Sequence, residues 1–575
     1  DEIVGGTLVD MYAKCGSLQE ARHIFDGLRH RNSIVWGTML SGYAIHGQYL
    51  VGIKLFNQME DEGIFPDSAT FPFILQCCVG IRDLSQGRVV HNIVLKRQWE
   101  VENTITNALI DMYAKCGSLE EAHKVFDHML NQDMISWNTL IAGYVQHEDG
   151  FKALDLYERM SEKRFVSDKV TFLAGLKACV DTGALLLGKI LHDEVYRCGF
   201  ESDVVLSSTL VNMYAKWGNL GDACSVFNTL SQYDVVSCGS MITGYIQHEQ
   251  WLSACKIYEL MHQKNIKPDN ISFACILKAC SGLESVHVGE HIHDDVVRSG
   301  LDKDMLIGNA LIDMYAKWGR LQDARYSFDK LLSRNLASWN AMMTGYAQFD
   351  DSSQTLLLFQ RLQYEGMHPD QVSFVCALKA CSNAGSIEHG RQIHDQVIRH
   401  SSECDLVISN SIIDMYAKCG NLEEANKIFD GLRHRDVVSW SALISGYAQD
   451  GSFEKVEHFL MKMKKTGLEP VSKTFTSVLG ACSHTGKVKA SHMYFKAMRE
   501  EFKIIPSIVH YNCMIDVLGR AGHFDDACKF LQSFPMFPNV KTWMSLLTSS
   551  RTFGRISFGK HCFNELMKQD PNNAS

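Results

Sequence analysis

Proline is scarce, with 9 in 575 residues. That is too few for a loop-rich or all-β chain of this size. No apolar run approaches the roughly 18–20 residues of a membrane-spanning helix, and mean hydropathy is −0.10. Positive charge is not in excess. Lys and Arg number 56 against 66 Asp and Glu, a net charge of −10, which argues against gripping nucleic acid by bulk charge. No C-x-x-C occurs, and the 19 cysteines are odd in number. A disulfide framework belongs to small secreted domains, so these read as reduced, mostly buried thiols of an intracellular or organellar protein. The start at Asp1 shows no methionine, signal peptide or Arg/Ser-rich transit segment, so a processed start or a fragment is expected. G-x-S-x-G and H-E-x-x-H are both missing, and no cluster has the makings of a catalytic site. What remains is of globular composition, 46% apolar and 21% charged.

What is present in quantity is a period. MYAKCG begins at Met11, Met112 and Met415 and MYAKWG at Met213 and Met314, each step being 101 residues. Phe25, Phe126, Phe227, Phe328 and Phe429 keep that step, as do Cys78, Cys179, Cys280, Cys381 and Cys482. Each 101-residue unit divides into parts of 35, 35 and 31 residues. Within 134–168, Trp137, Leu140, Ile141 and Tyr144 fall at i, i+3, i+4, i+7, one face of a helix. After a polar break at 147–150, Ala153, Leu154, Tyr157 and Met160 repeat the pattern. Each part is therefore a helical hairpin, which cannot bury its apolar face alone but can do so against stacked neighbours. The expected fold is all-α, a superhelical α-solenoid of stacked helix-turn-helix hairpins.

The 35/35/31 triplet, with its MYAKCG, SWN…GY and KPD signatures, resembles the plant pentatricopeptide repeat (PPR) family. Within it the pattern is similar to the PLS class, whose triplets alternate canonical, long and short repeats. On this reading the array covers 2–507. Short repeats are 2–32, 103–133, 204–234, 305–335 and 406–436, and canonical repeats are 33–67, 134–168, 235–269, 336–370 and 437–471. Long repeats are 68–102, 169–203, 270–304, 371–405 and 472–507. A last short repeat occupies 508–539, and 540–573 resembles the first E motif of organellar RNA-editing factors, with no DYW deaminase domain following.

The resemblance implies binding of single-stranded organellar RNA, one base per repeat, read by the fifth and the last residue. Asn107 with Asp133, Asn138 with Asp168, Asn340 with Asp370 and Asn410 with Asp436 imply U. Ser208 with Asp234 implies G. Asn309 with Asn335, and Asn512 with Asn539, imply a pyrimidine. A carboxamide both donates and accepts, which suits a Watson–Crick edge, and the aliphatic second residues Ile135, Val205, Val236 and Val438 are placed to pack on base faces. Gly6, Gly37 and Gly239 offer no side chain at the fifth position, and Ser441 is matched with Val471, so these repeats are expected to read poorly. Long repeats carry Pro72, Leu173, Ala274 and Val375 there, which cannot hydrogen-bond a base. Placed upstream of an edited C as in the family, the array implies the site U-U-n-G-n-n-Y-U-n-U-n-n-Y-n-n-n-C. The implied role is specifying C-to-U editing sites in mitochondrion or chloroplast, without catalysis or cofactor. A DYW-type deaminase or editing-complex protein would be the partner in trans through the E motif. A splicing or stability factor, a protein-binding helical scaffold, and a truncated product without stand-alone activity are the alternatives.

Several residues admit a plainer role. Asp before a helix is an ordinary N-cap, a role compatible with base reading. Lys14, Lys115, Lys216, Lys317 and Lys418 are placed to meet phosphates, yet Asp10, Asp111, Asp313 and Asp414 precede four of them at i,i+4 ion-pair spacing. Gly183…Gly188-Lys189 imitates a phosphate loop but lacks the following Ser or Thr. His192-Asp193-Glu194 imitates the H-x-E of a zinc deaminase, but no Pro-Cys-x-x-Cys follows. The MYAKCG cysteine becomes Trp217 and Trp318 in two copies, which speaks for packing and against a metal.

Overall fold

The computed structural model describes residues 2–283, 285–400, 405–532 and 538–569. The expected repeats 371–405 and 508–539 and the E-motif stretch 540–573 include 401–404, 533–537 and 570–573, which lie outside the described residues. Among the described residues there are 34 α-helices, one 3-10 turn at Trp99–Val101, and no strand. The chain divides into two compact units, Asp1–Leu283 and Glu284–Ser575. Each is an all-α solenoid of stacked helical hairpins.

One hairpin shows how the sequence builds the rest. Its first helix, Met134–Gln146, starts at Asp133. The Asp133 carboxylate accepts the Ser136 N–H at 2.8 Å, and Ser136 Oγ accepts the Asp133 N–H at 2.9 Å. This reciprocal box satisfies two of the donors that a helix start leaves open. The second helix, Gly150–Glu162, is capped by Asp149, and Asp168 caps the next first helix, Lys169–Thr182. That helix stops at Gly183, whose φ of +73° lies in the left-handed region that glycine adopts without strain.

Within each unit the first helices of successive hairpins pack side by side. Asn103–Lys115 lies against Met134–Gln146, and Leu406–Lys418 against Val437–Gln449. Within a unit most second helices rest on their own first helix and on the first helix of the next hairpin, as Gly150–Glu162 does on Met134–Gln146 and Lys169–Thr182. Glycine permits the close approach. A Cβ on Gly143 would stand 2.8 Å from Ala114 Cβ, and one on Gly345 2.6 Å from Ala316 Cβ. An aromatic pair locks the junction after each short repeat. Phe126 meets Trp137 edge-on at 4.7 Å, and Phe328–Trp339 and Phe429–Trp440 repeat this at 4.8 Å. Where Cys238 replaces the tryptophan, Phe227 packs on Tyr233 instead, at 4.8 Å.

Candidate nucleic-acid interface

The fifth residue of a hairpin lies one turn into its first helix, and the last residue is the N-cap of the next. Side-by-side packing of first helices brings the two together across a junction. In the first unit, Asn107 Nδ2 donates to the Asp133 carboxylate at 3.3 Å, Asn138 Nδ2 to Asp168 at 3.0 Å, and Ser208 Oγ to Asp234 at 3.1 Å. In the second unit, Asn309 Nδ2 donates to Asn335 Oδ1 at 3.4 Å and Asn340 Nδ2 to Asp370 at 2.9 Å. Asn410 reaches Asp436 at 3.1 Å, and Asn512 reaches Asn539 at 3.3 Å. All the residue pairs singled out in the sequence are thus in direct contact. The last residues also cap helices, so for Asp133, Asp168, Asp234, Asp370 and Asp436 capping and the contact with the fifth residue sit on one side chain.

Two grades of grip emerge that the sequence does not announce. In the canonical repeats the Asn carboxamide is held at both ends. Thr171 Oγ1 donates to Asn138 Oδ1 and Ser373 Oγ to Asn340 Oδ1, both at 2.7 Å. Thr542 does the same for Asn512 at 2.6 Å. In the other short repeats the carbonyl oxygens of Asn107, Asn309 and Asn410, unlike that of Asn512, have no hydrogen-bond partner among the described residues. The corresponding hydroxyls turn away: Ser136 Oγ donates to the Asp133 carbonyl at 2.7 Å and Ser439 Oγ to the Asp436 carboxylate at 2.8 Å. The detectable signal was a Ser or Thr three residues after each cap, but its direction depends on packing.

The charge state of the pairs follows from these contacts. Burial opposes ionisation of Asp133, but hydrogen bonds from the Ser136 N–H, Asn107 and Asn103 outweigh it and hold the carboxyl below the usual range. The same balance lowers Asp168, through the Thr171 N–H and hydroxyl and Asn138, and Asp436, through Ser439 and Asn410. Each is an anionic acceptor at neutral pH, fixing the carboxamide NH2 toward itself and the oxygen away.

Aliphatic side chains flank the pairs. Ile135, Val407 and Val438 are 62%, 52% and 55% exposed. A cavity of about 400 Å³ is lined by Ile135, Asn138, Asp168 and Val170. Another of about 290 Å³ is lined by Val407, Asn410, Asp436 and Val438. Each has apolar walls and a donor–acceptor floor, the chemistry that accepts a flat heterocycle with polar edges.

The positions expected to read poorly also differ in structure. At Gly239 the Asp269 carboxylate still caps the next helix at 2.8 Å but has no fifth side chain beside it. At Gly37 the equivalent space is narrower, since an added Cβ would stand 2.5 Å from Thr70 Oγ1. Ser441 faces Thr474 Oγ1 at 2.7 Å, because Val471 offers no acceptor. Four of the five lysines resolve toward the plainer role: Lys14, Lys115, Lys317 and Lys418 pair with Asp10, Asp111, Asp313 and Asp414 at 2.8 Å. Lys189 pairs with Asp222 at 3.2 Å, and Gly188 packs against Met213. The His192, His293 and His394 rings each bond a tyrosine hydroxyl through Nδ1, Tyr214 at 3.0 Å, Tyr315 at 2.7 Å and Tyr416 at 3.1 Å. Among the described residues no group of side chains is arranged to hold a metal ion.

A stack of helical hairpins with polar pairs recurring at its junctions defines a helical-repeat protein. The family profile described as PPR repeat matches residues 6–33, 104–134, 205–235, 309–336, 337–367, 407–437 and 509–535. That of the PPR repeat family matches 31–80, 132–181, 233–282 and 435–484, and a pentatricopeptide repeat domain profile matches 472–521. A mitochondrial pentatricopeptide repeat-containing protein of Arabidopsis thaliana is 35% identical over 100% of this chain and 56% of its own length. A second from the same plant is 32% identical over 97% of this chain and 78% of itself. A third, chloroplastic, is 33% identical over 98% of this chain and 70% of itself. The chain therefore belongs to the pentatricopeptide repeat family. It spans little more than half the length of the first of these relatives. Among solved structures, PPR10, a maize pentatricopeptide repeat protein crystallised with an 18-nt RNA element, superposes with a TM-score of 0.53 at 16% identity. That likeness covers 98% of this chain and 84% of PPR10 and bears on the fold.

Proposed function

We propose that this protein binds single-stranded RNA in a sequence-specific way, one base per short or canonical repeat, and that the bound RNA is an organellar transcript. The observation that carries this reading is the contact between fifth and last residues at successive junctions, beside exposed aliphatic walls. A protein-binding scaffold has no need for a hydrogen-bonded polar pair at each of these places. The reading residues are Asn107, Asn138, Ser208, Asn309, Asn340, Asn410 and Asn512 with their caps Asp133, Asp168, Asp234, Asn335, Asp370, Asp436 and Asn539. The relatives named for mitochondrion and chloroplast support an organellar setting. The PLS-like triplet and the E-motif likeness of 540–573 support a more particular use: presenting a chosen C to a deaminase supplied in trans.

The test is selection of bound RNA from a random single-stranded pool near physiological salt. Enrichment of U-U-n-G, with U-n-U beginning about four nucleotides after the G, is expected from the order of the pairs. An unrelated consensus, or none from folded protein, overturns the base assignments and the editing role with them.

A further inference from the structure

The long repeats have no polar fifth residue, yet the structure gives three of them a different polar group on the same stretch of helix. One turn beyond Leu173, Ala274 and Val375 stand Lys177, Lys278 and Lys379. All three side chains are exposed and make no hydrogen bond or ion pair with the described residues. The short-repeat position at the same distance into the helix is Asp111, Asp313 or Asp414, whose charge is cancelled by a lysine. The canonical one is uncharged, as at Ala142 and Thr243. The long-repeat lysines are therefore among the uncompensated cations of the first-helix row, with Lys216 and Lys473. Lys379 shows the setting of one of them. It lines the 290 Å³ cavity that also holds Asn410, Asp436, Val407 and Val438. The carboxylates there are already engaged, Asp414 by Lys418 at 2.8 Å and Asp436 by Asn410 at 3.1 Å, which leaves the ammonium free for an outside anion.

We propose that Lys177, Lys278 and Lys379 each bind a backbone phosphate of the RNA, so that long repeats hold the strand while their neighbours read it. This rests on the RNA-reading role proposed above. It also answers how a chain of net charge −10 holds a polyanion: through a few unpaired ammonium groups set beside the base cavities.

The experiment measures RNA affinity of the full chain against salt, for wild type and for Lys177→Gln/Lys278→Gln/Lys379→Gln. Two probes are used, an RNA carrying the expected U-U-n-G-n-n-Y-U-n-U-n-n-Y order and oligo(A) of equal length. A control removes the same charge from exposed second-helix lysines, Lys54→Gln/Lys256→Gln/Lys489→Gln. Each single-strand phosphate contact contributes about 0.7 to the log–log salt slope. The triple variant is expected to flatten the slope by about 2 and to weaken binding about 10- to 50-fold at ~0.15 M salt, equally for both probes. The control is expected to change neither. An unchanged slope, or an equal loss in the control, overturns the phosphate role. Wild type that binds both probes alike sinks base reading but leaves the slope comparison decisive for the lysines. Wild type that binds neither overturns both proposals.

Discussion

At the scale of a residue, the protein turns on what a side chain one turn into a helix can reach. Asn138 reaches Asp168 because Asp168 caps a helix packed alongside, 30 residues on in sequence. Gly239 reaches nothing, although Asp269 is in place. An added Cβ there stands 3.2 Å from Ser272 Oγ, a hydroxyl able to turn aside. Gly239→Asn is expected to create a new U preference at its nucleotide, with roughly 5- to 100-fold discrimination for about 1–3 kcal/mol of base contact. Gly37→Asn should gain less, because Thr70 is tied to Asp67 and must give way. Competition binding with RNAs varied at one base checks both, and equal gains would contradict the steric argument.

Titration is argued at the same scale. Burial holds the His192 and His293 imidazoles below the usual histidine range, against the pull of Asp193 beside the former and with a further push from Lys330 beside the latter. Their folded pKa values lie under the unfolded value of about 6.5, so stability is full above that pH and declines as pH falls through the folded values. Asp133, Asp168 and Asp436 are also lowered, so their contribution persists above about pH 4 and is lost below it. Melting temperature against pH is expected to be flat from 8 to about 6.5, to slope gently below that, and to drop steeply under about 4. His192→Gln/His293→Gln should remove the gentle slope and leave the steep one.

At the scale of an element, the first-helix row depends on glycine facing alanine. A Cβ at Gly345 would press within 2.6 Å of Ala316 Cβ, which is fixed to its own backbone. Gly345→Ala gains up to about 1 kcal/mol in helix propensity but incurs an overpacking cost of about 1–3 kcal/mol. The second term wins, and hydrogen exchange in Met305–Lys317 and Leu336–Gln348 should accelerate while distant helices are unchanged. The caps act at this scale too. Ser472–Thr485 begins at Val471, which supplies no side-chain acceptor, whereas Asp436 and Asp168 cap their helices fully. Val471→Asp is expected to stabilise that helix by about 1 kcal/mol and to give Ser441 the partner that Ser208 has in Asp234. A variant that binds G at that nucleotide no better than wild type would detach the cap from base reading.

At the scale of the whole molecule, each hairpin finds its core only in its neighbours, so stability is a sum of local terms within each unit. Urea unfolding is expected to be broad, with tryptophan fluorescence and far-UV ellipticity giving transitions that do not coincide. One sharp transition common to both probes would contradict the additive picture. Much was legible in advance at this scale. The 101-residue step and the helical spacing of Trp137, Leu140, Ile141 and Tyr144 led to an all-α array, because burying a repeated apolar stripe has few solutions. The residues of the reading pairs were legible as well, since fifth and last positions can be counted off. Three features were not. The sequence left Lys115 open between phosphate and Asp111, and the structure pairs it at 2.8 Å. It did not distinguish Thr171, which grips its asparagine, from Ser136, which does not. It gave no reason to notice Lys379, whose meaning lies in having no partner.

By itself, then, the order of residues determined the period, the helices, their caps and the stripe that must be buried, because these depend on neighbours within a few turns of the same chain. The tertiary structure alone decided which polar atoms meet across a junction, which carboxylates are already satisfied and which lysines remain free. The contacts across a junction depend on distances between side chains some 26 to 33 residues apart. They are settled by how closely one helix can approach the next, down to a single glycine against a single alanine.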